Sequence, residues 1–121
     1  KHALAAPVLE EAVALEPENE NIWINLAAAY LGKLPFATKE RREKAIAAFR
    51  KALAINPRAY SVHYNMALIF HEQGDIEEAK FYFQEALRVN PDDDDARRWL
   101  KRLGSEYRAE QGQDDANSKR A

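Results

Sequence analysis

Cysteine is absent from the 121 residues, which excludes disulfides, thiol nucleophiles and thiolate metal sites. With only 4 glycines, the chain holds no glycine-rich loop of the kind that cradles phosphate. No apolar run approaches the roughly 18 residues needed to span a bilayer, so a soluble protein with no membrane partner is expected. An excess of one charge is missing too: 18 basic residues stand against 20 acidic ones, a net charge of -2. That balance gives no bulk attraction to nucleic acid or to an anionic membrane. Nor is there a Ser-His-Asp arrangement or a zinc-ligand spacing. The histidines are His2, His63 and His71, and the last two lie two helical turns apart, too far for one ion. No enzyme, no metal and no cofactor is therefore expected.

What is present is a repeat. The stretch from Ala79 to Pro91 carries Ala79, Phe83, Ala86 and Pro91, and 34 residues earlier stand Ala45, Phe49, Ala52 and Pro57. A third copy, Ala5, Leu9, Ala12 and Pro17, lies 40 residues before the second. Asn25/Asn65, Leu26/Met66, Ala27/Ala67 and Tyr30/Phe70 are also 40 apart, so six extra residues fall between Tyr30 and Ala45. The underlying period is 34, and periods of 20 to 50 residues signal stacked repeats.

These residues resemble the tetratricopeptide repeat. Its helix pairs carry an aromatic, Leu, a small residue and an aromatic on the first helix, then Ala, Phe, Ala and Pro on the second. Here they are Trp23, Leu26, Ala27, Tyr30, Ala45, Phe49, Ala52 and Pro57, followed by His63, Met66, Ala67, Phe70, Gly74, Ala79, Phe83, Ala86 and Pro91. His63 in place of the usual Trp and the insertion depart from the pattern. The resemblance covers roughly residues 3 to 93 and implies an all-α fold, a right-handed superhelical stack of antiparallel helix pairs (an α-solenoid).

Taken in order, residues 1–17 read as the second helix of an incomplete repeat, with Leu4, Val8, Leu9, Ala12 and Leu15 on one face and Pro17 as the stop. Since the chain begins Lys1-His2, further repeats are expected upstream in a longer parent. Residues 18–59 read as a complete repeat with the insertion between its helices. Gly32 and Pro35 end its first helix, Phe36 is an expected plug onto the helix ends, and Thr38 is an expected N-cap. Residues 60–93 read as a second complete repeat, with Asp75 as N-cap. Residues 94–110 read as a closing helix with Ala96, Trp99, Leu100, Leu103 and Tyr107 inward. Asp92 to Asp95 lack the alternating ligands and glycine of a calcium loop. They suit a helix's first turn, with Asp93/Arg97 and Asp94/Arg98 at ion-pair spacing. Residues 111–121 have no apolar periodicity and are expected to be disordered.

In the family, the first helix of each pair lines a concave groove. Carried onto this chain, the resemblance places Asn21, Ile24, Asn25, Ala28, Ser61, Tyr64, Asn65, Leu68 and His71 there, joined by Arg98 and Arg102 from the closing helix. Two Asn amides one repeat apart could clamp a peptide backbone, and two Arg a carboxylate. The family's carboxylate clamp for chaperone tails is disfavoured, because Ile24, Ala28, Asp95 and Trp99 stand where its Lys, Asn, Lys and Arg belong. The expected function is a scaffold binding an extended protein segment or a partner helix in the groove. The alternative is a structural or self-assembly module whose end helices stack on further repeats of a longer protein or on other copies, as a homo-oligomer through the exposed face of the N-terminal helix. The compartment stays open, with the cytoplasm only as default.

Overall fold

A computed structural model describes residues 2–104, with side chains from residue 5 onward. The expectations for Leu4, for residues 105–110 including Tyr107 and for the 111–121 tail lie outside the described residues. All regular elements among the described residues are helical: α1 (His2–Leu15), α2 (Glu20–Leu31), a 3₁₀ turn (Leu34–Phe36), α3 (Lys39–Ile55), α4 (Tyr60–Glu72), α5 (Ile76–Val89) and α6 (residues 94–104). Consecutive helices pack against each other, α2 on α3 and α4 on α5 most extensively. The result is an all-α, tetratricopeptide-like solenoid.

The repeated skeleton is the core. Ala45, Ala52, Ala79, Phe83 and Ala86 are 0% exposed and Phe49 2%, joined by Ala27, Val62, Met66, Ala67 and Ile69. Alanines two helical turns apart let neighbouring helices approach, and each buried Phe contributes about 1.5–3 kcal/mol of burial. The α1 copy differs. Ala5, Leu9 and Ala12 are only half-buried, and Val13, which the helical pattern had not marked, is the buried residue. Val8 and Leu15 are turned out, at 65% and 85% exposure. Among the described residues, helix α1 packs chiefly against α2.

The junctions between pairs repeat one device. The Trp23 Nε1–H donates to the Pro17 carbonyl at 2.8 Å, and His63 Nε2 bonds the Pro57 carbonyl at 2.9 Å. A guanidinium N–H of Arg97 donates to the Pro91 carbonyl. Each donor lies six residues after its proline, so His63 keeps the Trp position because its ring N–H does the same work. A carbonyl only accepts, so Nε2 carries the proton. That leaves the buried His63 Nδ1 without a hydrogen-bond partner. Asn56 and Asn90 tighten their turns by accepting from the Arg58 and Asp92 N–H groups.

Caps and pairs depart from expectation in three places. Thr38 does cap α3, its hydroxyl accepting from the Arg41 N–H at 3.2 Å. Asp75 precedes α5 without a capping bond, because its carboxylate accepts from the Gln73 side chain instead. The turn there is secured by Gly74 at φ 84, where the Gly74 and Asp75 N–H groups donate to the His71 and Phe70 carbonyls and close α4. Asp93 turns back to cap the Ala96 N–H, which is why the ion pairs move to Arg97–Asp94 and Arg98–Asp95, three residues apart rather than four. Phe36 is no plug. It is 81% exposed, and Leu34 packs on the core in its place. The insertion is held by Arg42, which donates to the Ala37 carbonyl at 2.6 Å and to Gln73 at 2.9 Å.

Candidate protein-interaction surface

The expected groove residues fall into two groups. Ser61, Tyr64 and Asn65 on α4 line a hollow of about 180 Å³ with Tyr60, Asp93 and Asp95. Arg98 and Arg102 line an adjoining hollow of about 260 Å³ with Trp99 and Asp95. Asp95 borders both, so the two lie side by side. Helix α2 supplies the other group. Asn25 and Ala28 are exposed and Ile24 is half-buried against the core, and none of the three borders either hollow. Asn21 borders a wide opening with the 16–20 turn instead. Leu68 on α4 is half-buried against the core.

Trp99 is half-buried against the core, as the closing-helix pattern expects, and it also ties α4 to α6. Its ring stacks on Phe83 at 5.4 Å and 10°, its edge contacts His71 at 4.6 Å, and its Nε1–H donates to the Tyr64 hydroxyl at 3.2 Å. The Arg102 guanidinium lies 5.2 Å over its face. The sequence sets Trp99 at a clamp position, 34 residues after Asn65, but its contacts with Tyr64 and His71 do not follow from that spacing. A half-buried indole beside a phenol, an imidazole and a guanidinium provides an apolar platform with directional donors, the composition found at hot spots of protein interfaces.

The arginines are less available than their positions suggest. Arg98 is paired with Asp95, and that hydrogen bond, followed by the Asp95 charge, raises its pKa further. A carboxylate approaching Arg98 has to displace Asp95. Among the described residues no group of three or more His, Asp or Glu could hold a metal ion. No helix among them is long and apolar enough to cross a membrane.

Comparison with known proteins adds the following. The family model described as Tetratricopeptide repeat matches residues 60–93, and the one described as TPR repeat matches residues 36–74. Anaphase-promoting complex subunit 3 of Schizosaccharomyces pombe is 29% identical over 91 residues, which is 75% of this chain and 13% of that protein. Photosystem I assembly protein Ycf3 of Cyanophora paradoxa is 38% identical over 76 residues, 50% of this chain and 44% of that protein. The chain thus spans less than half the length of either relative. With the 34-residue skeleton, the helix pairs and two family matches in agreement, residues 36–93 carry tetratricopeptide repeats.

Proposed function

We propose that this chain is a protein-interaction scaffold that holds an extended segment or a helix of a partner protein along the α4–α6 face. The observation that carries this reading is the Tyr64–Trp99–His71–Arg102 cluster, of which Tyr64 borders one of two neighbouring hollows and Trp99 and Arg102 the other. Asn65 beside Tyr64 supplies an amide able to donate to and accept from a peptide backbone. Asn25 and Asn21 extend the surface onto α2 for a longer ligand. Both relatives bear names of assembly or complex components, which supports a binding role rather than catalysis. Pull-down from a lysate with the native chain, with Trp99→Ala and with Asn25, Asn65 and Arg102 jointly replaced by Ala tests it. Partners retained equally by all three, with helix content unchanged, would refute the groove.

The exposed Val8 and Leu15 on α1 favour a second reading, self-assembly through that helix. Light scattering of native chain and of Val8→Ser/Leu15→Ser separates the two. A monomer in both samples removes the assembly reading and leaves the groove untouched.

A further inference from the structure

The two helix pairs fill the space above their inner helices differently. On α5, Tyr82 lies between two rings of α4: it stacks on His63 at 6.2 Å and 27° and on Phe70 at 5.5 Å and 9°. The residue 34 positions earlier is Ala48 on α3, and the rings it faces on α2 are Trp23 and Tyr30, the counterparts of His63 and Phe70. The larger Trp23 offsets only part of the missing phenol. An opening of about 260 Å³ remains, floored by Trp23, Leu26, Tyr30 and Ala48 and bordered by Glu10 on α1 and by Lys44 and Lys51 on α3. It lies on the α1–α3 side and shares no residue with the hollows of the α4–α6 face.

We propose that this opening is a second docking site, which takes one tyrosine or phenylalanine side chain from an acidic segment of a partner protein. Three observations fix that chemistry. First, the molecule contains its own example: in the next pair the same position holds a phenol ring between the same two ring positions. Second, the opening falls below the roughly 300–1,000 Å³ of pockets that enclose drug-sized ligands, so it suits a single side chain. Third, the border charges are reversed between the pairs. Glu78 and Glu85 flank Tyr82 where Lys44 and Lys51 flank Ala48. An aromatic residue with carboxylates beside it therefore finds at Lys44 and Lys51 the complement of its own charge. Lys44 makes only an exposed 3.7 Å pair with Glu40, and its Nζ hovers 5.6 Å from the Tyr30 ring. The border is not uniformly basic. Burial, then the Glu10 charge and its hydrogen bond, raise the Tyr30 hydroxyl pKa, so the acidic flank belongs on the α3 side and away from Glu10.

A second copy of this chain fits less well. Phe36 is the most exposed aromatic, but Lys33 and Lys39 flank it and would oppose Lys44 and Lys51. Phe81 has acidic neighbours but leans edge-on against its own Tyr82 at 5.1 Å.

The test uses the 121-residue chain carrying Trp99→Phe, so that Trp23 is the sole indole reporter, and a capped Asp-Glu-Tyr-Asp-Glu peptide at up to about 1 mM. A saturable change in Trp23 emission and in its indole N–H resonance is expected, and an Asp-Glu-Ala-Asp-Glu peptide is expected to give none. Adding Lys44→Glu/Lys51→Glu should weaken binding about tenfold, and Ala48→Tyr should abolish it by filling the opening from within. If Ala48→Tyr does not fold, the charge-reversed variant decides alone. Equal binding of the alanine peptide, or no Trp23 response, overturns the proposal. So does a doubled mass that Phe81→Ser abolishes, which would make a second copy the occupant. Asn65→Ala should leave the titration unchanged, which separates this site from the α4–α6 face.

Discussion

The α2–α3 and α4–α5 pairs share one skeleton and carry their bulk on opposite partners. In the first pair the inner helix carries the large ring, Trp23, and the outer helix carries Ala48. In the second the inner helix carries His63 and the outer helix carries Tyr82. The Ala, Phe and Ala residues of the skeleton do not take part in this exchange, and they are buried in both pairs. Residues that join helices thus determine the fold, while residues one step off that line decide whether the surface is closed or open.

The largest effect should come from the shared skeleton. Phe49→Ala and Phe83→Ala should each cost about 3–5 kcal/mol in urea unfolding, because each leaves a cavity in a packed core. Leu9→Ala on α1 removes a half-buried residue of the same skeleton and should cost about 1–2 kcal/mol. Equal losses at Leu9 and Phe49 would mean that α1 is covered in solution by something else.

Next comes the exchanged ring. Tyr82→Ala should cost about 2–3 kcal/mol, because it removes two stacking contacts and opens in the second pair the space that the first pair already has. His63→Trp alone should be destabilising by about 1–3 kcal/mol, since Tyr82 occupies the room the indole needs. In combination with Tyr82→Ala that penalty should largely vanish. Thermal melts of the two single variants and the double variant form the cycle that measures this coupling. Strict additivity would break the claim that the two positions share one space.

Smaller still is the contrast between the caps. Thr38→Ala should cost about 1 kcal/mol, because it removes the bond to the Arg41 N–H. Asp75→Ala, at the matching place before α5, should change stability by only a few tenths of a kcal/mol, because no capping bond is there to lose. Chemical denaturation of the two variants side by side reads the difference.

The fold was legible because its signal is written in residues that have no alternative. Ala45, Ala52, Ala79 and Ala86 are small where helices touch, and Pro17, Pro57 and Pro91 stop each outer helix. The departures came where one side chain had two partners to choose between. Asp93 could pair with Arg97 or cap Ala96, and the local backbone N–H won, shifting the later pairs by one position. Phe36 was expected to bury because it is apolar, but a 3₁₀ turn three residues long turns Leu34 inward and leaves Phe36 outside. On the candidate surface, Tyr64, Asn65 and His71 were legible from their place on the first helix of a pair, and Arg102 from its place on the closing helix. Trp99 was legible as a core-face residue and as the occupant of a clamp position, but its ties to Tyr64 and His71 were not, because they depend on ring orientations that spacing does not give. The opening at Ala48 was legible only after Tyr82 showed what the equivalent position can hold.

The smallest effect concerns charge. In the second pair Glu85 accepts two hydrogen bonds from Arg88, at 2.7 and 3.0 Å, whereas the equivalent residues of the first pair are Lys51 and Ala54 and form no such bridge. The Arg88 hydrogen bond is the main cause that lowers the Glu85 pKa from its ordinary value of about 4.5, with partial burial working against it and the Arg88 charge adding to it. A carboxyl that ionises more readily when folded makes the unfolded chain the better proton acceptor. Its stabilisation is therefore fully present above the ordinary carboxyl pKa and is lost as pH falls through the lower folded value. Arg88 is exposed, so solvent and salt keep the contribution small. Glu85→Gln should accordingly lower the urea midpoint slightly at pH 7, and the gap from the native chain should close as the solution is taken below about pH 4.5. Lys51→Gln in the first pair should show no such convergence. A gap at Glu85 that persists undiminished at pH 3 would assign the effect to packing beside Tyr82 and remove charge from the contrast between the two pairs.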